Sequence, residues 1–146
     1  MKVLLCEDAD WLLSKEAFSI YASCMYYPTY EKYKERMEDY FDNSSVKVFV
    51  CKNRGKKTGM MVLESSGVAA EIIGIAVSDD ARNKGIGKEL IKSVIKSEKI
   101  KIIKAQTDDD SIGFYRKCGF SEEKTVIEYY DKSSIRYNCV LYNRLS

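Results

Sequence analysis

The segment Ile72-Ile73-Gly74-Ile75-Ala76-Val77 runs into Ser78-Asp79-Asp80-Ala81, then into Arg82-Asn83-Lys84-Gly85-Ile86-Gly87 and Lys88-Glu89-Leu90-Ile91. The order is an apolar strand, a turn, a glycine loop and a helix start, and it builds an anion site. Glycine lets the backbone approach a ligand closely and adopt positive φ, while a helix N-terminus offers unpaired N–H groups and roughly half a positive charge. A pyrophosphate is the natural occupant, although two glycines spaced by one residue also occur in ordinary turns. Neither the six-residue glycine fingerprint of dinucleotide folds nor the Gly-Lys-Ser/Thr of nucleotide triphosphatases is present.

Histidine is absent from all 146 residues. That removes Ser-His-Asp and Cys-His nucleophile pairs, H-E-x-x-H zinc sites and histidine general bases. Proton transfer must then use Glu, Asp, Tyr, Lys or Cys. Cys118 as an acyl-carrying nucleophile lacks a neighbouring histidine to activate it.

Arg82-x-x-Gly85-x-Gly87 after an apolar strand resembles the acetyl-CoA signature of the Gcn5-related N-acetyltransferase (GNAT) superfamily, Gln/Arg-x-x-Gly-x-Gly/Ala. Further on, Phe114-Tyr115-Arg116-Lys117-Cys118-Gly119-Phe120 resembles that family's Phe-Tyr-x-x-x-Gly-Phe segment, where the helix after the fifth strand ends and the sixth strand begins. The likeness is close from Glu71 to Phe120. The first 45 residues match no motif, and in the family that region shapes the acceptor site. One position departs: an asparagine common after the fifth strand is Asp108 here.

The resemblance implies acetyl-CoA as cosubstrate, with direct transfer of the acetyl group to an amine and no metal. The backbone N–H groups of Arg82, Asn83, Lys84, Gly85, Ile86, Gly87 and Lys88 would bind the pyrophosphate, and the backbone of Ile75, Ala76 and Val77 would pair with the pantetheine arm as an added strand does. A strand N–H near Val77 would polarise the thioester carbonyl. Lys84 and Lys88 would assist as cations, whereas Lys92 and Lys96 read as a solvated helix face. Tyr115 is either an aromatic packing its helix onto the sheet or, by the resemblance, the acid attending the departing thiolate. Glu71 lies eleven residues before Arg82, the spacing of the general base in some histone-modifying relatives, and is otherwise a common rim carboxylate; Glu64 is the reserve. The alternative function is a non-catalytic CoA-binding or protein-interaction domain that keeps the loop alone.

These residues need elements to hold them. Met1 to Cys6 reads as a strand. Asp8 or Asp10 could cap a helix carrying Trp11, Leu12, Phe18 and Tyr21, and Pro28 fits the first turn of a second helix, Thr29 to about Phe41. Val46 to Lys52, Thr58 to Glu64 and Val68 to Val77 form an antiparallel meander. A helix follows from Ile86 to Ser97, then a strand from Lys101 to Gln106 and a short helix from Ser111 to Lys117 closed by Gly119. Strands from Phe120 to Tyr130 and from Ile135 to Leu145 flank a turn at Asp131-Lys132-Ser133-Ser134. The expectation is one α/β (α+β) domain over residues 1–146, with a mixed, mostly antiparallel central sheet flanked by helices, and the resemblance makes it the GNAT fold. The tyrosine-rich stretch Tyr26, Tyr27, Tyr30, Tyr33 and Tyr40 could line an acceptor pocket, yet aromatics at helical spacing are more often core or interface.

Composition narrows the partners. A formal net charge of +2, from 24 basic and 22 acidic residues, provides no global attraction for nucleic acid or an anionic membrane. The expected partner is a small-molecule or peptide amine, with a homodimer as an open option. Five cysteines without a C-x-x-C pair argue against a disulfide framework or zinc site and read as reduced, mostly buried thiols. With neither a signal-peptide core nor a membrane span in the sequence, the expected location is the cytoplasm.

Overall fold

The computed structural model describes residues 1–128 and 133–143. Strand β1 (Lys2–Leu5) leads into helices α1 (Ala9–Leu12), α2 (Lys15–Tyr21) and α3 (Tyr30–Phe41). Strands β2 (Val46–Asn53), β3 (Lys56–Ser66) and β4 (Ala69–Val77) follow, then α4 (Ile86–Ser97), β5 (Ile102–Thr107), α5 (Ile112–Lys117), β6 (Ser121–Glu128) and β7 (Ser133–Tyr142). The strands form one sheet in the order β1-β2-β3-β4-β5-β7-β6. Among the described residues only β4 and β5 pair in parallel, so the sheet is mixed and mostly antiparallel as expected.

Each face of the sheet is covered. On one, α4 and α5 bury Ile86, Leu90, Ile91, Val94, Ile112 and Tyr115 against Met61, Leu63, Ile72 and Ile103. On the other, α1 to α3 bury Leu12, Ile20, Tyr21, Tyr33 and Met37 against Val48, Met60 and Val62. Each fully buried aliphatic side chain stabilises the fold by about 1.5–3 kcal/mol, so α4 is held by its apolar stripe rather than by helix propensity. Gly59 on β3 sets its distance, because a β-carbon there would lie 2.8 Å from Ile86 Cγ2.

The structure corrects two details near the N-terminus. The single helix expected after Asp8 is two, because the Ser14 hydroxyl caps a new helix by accepting from the Ala17 N–H at 3.2 Å, while the Asp8 carboxylate caps the first by accepting from the Trp11 N–H at 3.1 Å. Pro28 lies before α3 rather than in its first turn, since Thr29 is the cap and accepts from the Lys32 N–H at 3.2 Å. The expected turn residues Asp131 and Lys132 and the strand ends at Tyr130 and Leu145 lie outside the described residues. The thiols are all free, but only Cys51 and Cys139 are buried, and Cys24 is exposed.

Candidate active site

Strand β4 pairs with β5 only from Ala69 to Ile72, opposite Ile102 to Ala105. Beyond that point β5 continues along β7 and β4 continues along β3, so the two strands diverge. A bulge helps them part: Leu63 faces Ile72 while its neighbour Val62 faces Gly74, leaving Ile73 as the extra residue. The Ser78 N–H donates to Thr58 O at 2.8 Å, and two-residue alternation along the ladder assigns Ala76 to β3 as well. The N–H and C=O groups of Ile75 and Val77 therefore point to the open side. This is a free strand edge inside the sheet, at the segment expected to pair with an extended ligand.

The edge runs straight into the glycine loop at residues 82–87. Arg82, Asn83, Lys84 and Gly85 are exposed, and Asn83 and Gly85 adopt positive φ of 63° and 77°. Gly85 is the N-cap of α4 and no side chain caps it. The first bonded amide of this turn is that of Glu89, which donates to Gly85 O at 3.0 Å, so the amides before it remain available to an anion. Local ion pairs set the loop: the Arg82 guanidinium holds Asp79 at 3.0 Å, and Lys56 holds Asp80. Lys56 and the Ser78 hydroxyl keep the Asp80 carboxyl below the usual carboxylate range. Arg82 is thus engaged by Asp79, whereas Lys88 forms no ion pair among the described residues. Lys88 and Lys92 line a groove of about 290 Å³ along α4 with Ile91, Cys118 and Tyr142.

The two sequence motifs meet in space. A β-carbon on Gly87 would lie 2.8 Å from Phe114 Cε1, so the loop's second glycine is the seat of the Phe114 ring. Tyr115 is 6% exposed and sits edge-to-face between Phe114 and Phe120, with ring centroids 5.1 and 5.2 Å away. Burial first, then the neighbouring thiols of Cys139, Cys24 and Cys118, push its phenol pKa well above the usual value. Its packing role is therefore real. Asp108 closes the turn before α5, its carboxylate accepting from the N–H of the N-cap residue Ser111 at 3.1 Å.

Glu71 and its reserve Glu64 are Cα partners on β4 and β3, and Lys104 is Glu71's partner on β5. The three side chains project from one face, all exposed and none in an ion pair among the described residues. Glu71 precedes Ile75 by about 13 Å of extended strand, less the bulge, which is further than a glutamate side chain reaches. It can serve the open edge only through water.

Sequence reasoning passed over Gly74 and Tyr21. A β-carbon on Gly74 would fall 2.0 Å from the Tyr21 hydroxyl oxygen, so α2 inserts a phenol beside the free edge. An isolated glycine within an apolar strand is the signal that could have found the bulge and the close approach.

The model of the acetyltransferase (GNAT) family matches residues 14–120. The ribosomal-protein-S18-alanine N-acetyltransferase of Escherichia coli superposes with a TM-score of 0.74 at 17% identity, covering 99% of this chain and 95% of that one. A GNAT family acetyltransferase from Elizabethkingia anophelis with acetyl-CoA bound gives 0.69 at 19% identity, covering 97% of each. The spermidine/spermine N-acetyltransferase of Vibrio cholerae gives 0.70 at 16% identity, covering 97% of this chain and 91% of that one. No curated protein matches the chain by sequence.

Proposed function

The chain belongs to the acetyltransferase (GNAT) family, and from that premise we propose that it transfers the acetyl group of acetyl-CoA directly to a small-molecule or peptide amine. One observation carries this: the edge of β4 left open from Ile73 to Val77 leads without interruption into an uncapped helix start. An extended pantetheine arm needs strand-like partners along its amides and a pyrophosphate needs convergent N–H donors, and both requirements are met in sequence order. The backbone of Ile75 to Val77 takes the arm. The amides from Arg82 to Lys88 take the pyrophosphate, with Lys84 and Lys88 as supporting cations.

In the reaction the amine nitrogen forms the new C–N bond to the thioester carbon as the C–S bond breaks. Ile75 presents an N–H to the open side and donates to the carbonyl oxygen, where negative charge grows. Tyr115 donates a hydrogen bond to the departing sulfur. With its pKa raised by burial, the phenol acts chiefly as a fixed donor and keeps its proton at neutral pH. Glu71 accepts the amine's proton through water. Five free thiols are the state that a reducing compartment maintains, which supports the cytoplasm as location. Among the described residues no helix is long and apolar enough to cross a membrane.

Calorimetry tests the central claim. Acetyl-CoA at a hundred times its dissociation constant should stabilise the fold by about 2.7 kcal/mol. A melting temperature indifferent to saturating acetyl-CoA removes the proposal. A stabilised protein that acetylates no member of a broad amine panel would instead be a CoA-binding domain without transfer.

A further inference from the structure

Tyr21 ends α2 and is 2% exposed, yet its phenol serves more than packing. Of the atoms nearest a β-carbon placed on Gly74, the hydroxyl oxygen comes first at 2.0 Å, before Cζ at 2.7 Å and Cε1 at 3.1 Å. It is the polar tip of the side chain, then, that occupies the space left by the missing β-carbon, at the bulge where β4 turns away from β5. Cys24, in the turn after α2, completes the corner. Its Sγ donates to Tyr21 O at 3.2 Å and lies against both the Tyr21 hydroxyl and the main chain of Ile75.

Cys24 presents surface to solvent, but its sulfur lies in the crowded notch, and that crowding pushes the thiol pKa up to about 11. The Tyr21 hydroxyl and the Ile75 backbone each oppose the rise by hydrogen bonding toward the sulfur. A side-chain donor and a main-chain donor thus converge on one point at the free edge. Sulfur is a weak acceptor, so both donors are left largely unused by the chain itself. A phenylalanine would fill the same volume equally well; a buried hydroxyl aimed at a glycine main chain is what the packing does not require.

Resting on the acetyl-transfer function above, we propose that Tyr21 is a further catalytic residue, its hydroxyl donating beside the Ile75 N–H to the carbonyl oxygen of the acetyl thioester. In the ternary complex that oxygen takes the place of the Cys24 sulfur at the two donors. Paired, preorganised donors are what a carbonyl oxygen gaining negative charge needs, because they incur no reorientation as the amine adds. The two phenols then divide the labour across the gap: Tyr21 attends the oxygen and Tyr115 the sulfur.

The test reads the carbonyl directly and needs no acceptor. Acetyl-CoA carrying ¹³C at its carbonyl is bound to the wild type and to Tyr21→Phe, and isotope-edited infrared spectra are compared at affinities measured by calorimetry. The wild type should move the carbonyl stretch to lower frequency, and Tyr21→Phe should lose part of that shift with affinity little changed. Turnover with any amine substrate should fall about 10²- to 10³-fold. Gly74→Ala keeps the phenol but drives its hydroxyl off the strand, so it should lose the same part of the shift, and it decides the matter if Tyr21→Phe does not fold. Coincident carbonyl bands in wild type and variant overturn the role of Tyr21 and leave acetyl transfer standing. Failure of the wild type to bind acetyl-CoA overturns the transfer function and this role with it.

Discussion

Gly87 and Phe114 are in packing contact, with no room between them for a methyl group: a β-carbon on Gly87 would lie 2.8 Å from Cε1 and 2.9 Å from Cζ of the ring. The first turn of α4 and the aromatic segment of α5 are thereby locked at a fixed distance. The glycine loop and the segment that carries Tyr115 are held together by the same contact.

Gly87→Ala should consequently destabilise the protein by about 1–3 kcal/mol in the absence of any ligand, through overpacking. Phe114→Leu in the same chain should recover part of that loss. Urea unfolding in a double-mutant cycle measures the coupling, and strictly additive costs would show that the two residues do not press on each other.

Glu71→Gln should lower the rate at neutral pH and be partly rescued as pH rises. An acceptor amine with pKa near 10.4 is almost wholly protonated at pH 7, so the base matters most there and least where the free amine is abundant. Glu64→Gln tests the neighbouring carboxylate on the same face. Identical pH–rate profiles for wild type and Glu71→Gln would make Glu71 a rim carboxylate without catalytic part.

Tyr115→Phe should retain cofactor affinity and ring packing while lowering turnover by roughly 10²- to 10³-fold, the loss of one fixed donor to the developing charge. Product should be followed by mass spectrometry of the acetylated amine, since the chain's own thiols would react with thiol dyes. Burial raises the Tyr115 pKa, so ionisation of this phenol should add no falling limb to the rate below about pH 10. Equal turnover in the two proteins, with chemistry limiting the rate, leaves Tyr115 a packing residue only.

Alkali should unfold the protein through its buried phenols. Tyr21 and Tyr115 have folded pKa values raised by burial, against about 10 in the unfolded chain. Below pH 10 both states carry these protons and the stabilisation is complete. Above it the unfolded chain releases protons that the folded chain keeps, so stability falls by about 1.4 kcal/mol per pH unit for each such phenol. Tyr21→Phe should show a shallower decline between pH 10 and 11.5 in urea titrations, and parallel declines would contradict the assignment.

Much of the site was legible along the chain because its chemistry is local. The glycine loop, the helix start at Ile86 and the Phe114-Tyr115 segment are each defined by residues a few positions apart, and main-chain donors follow from local conformation whatever lies beyond. The succession of elements along the chain and the mixed sheet were readable for the same reason, from turn residues and apolar periodicity. What tertiary structure decided depends on register and docking across long separations. The pairing of Glu64 with Glu71 and the parting of β4 from β5 at Ile72 rest on hydrogen-bond register between strands. The placement of Tyr21 over Gly74 rests on how α2 packs 53 residues away in sequence. A sequence shows that a strand has an apolar side and a glycine, but which neighbour fills the space that the glycine leaves is chosen only when the core closes around it.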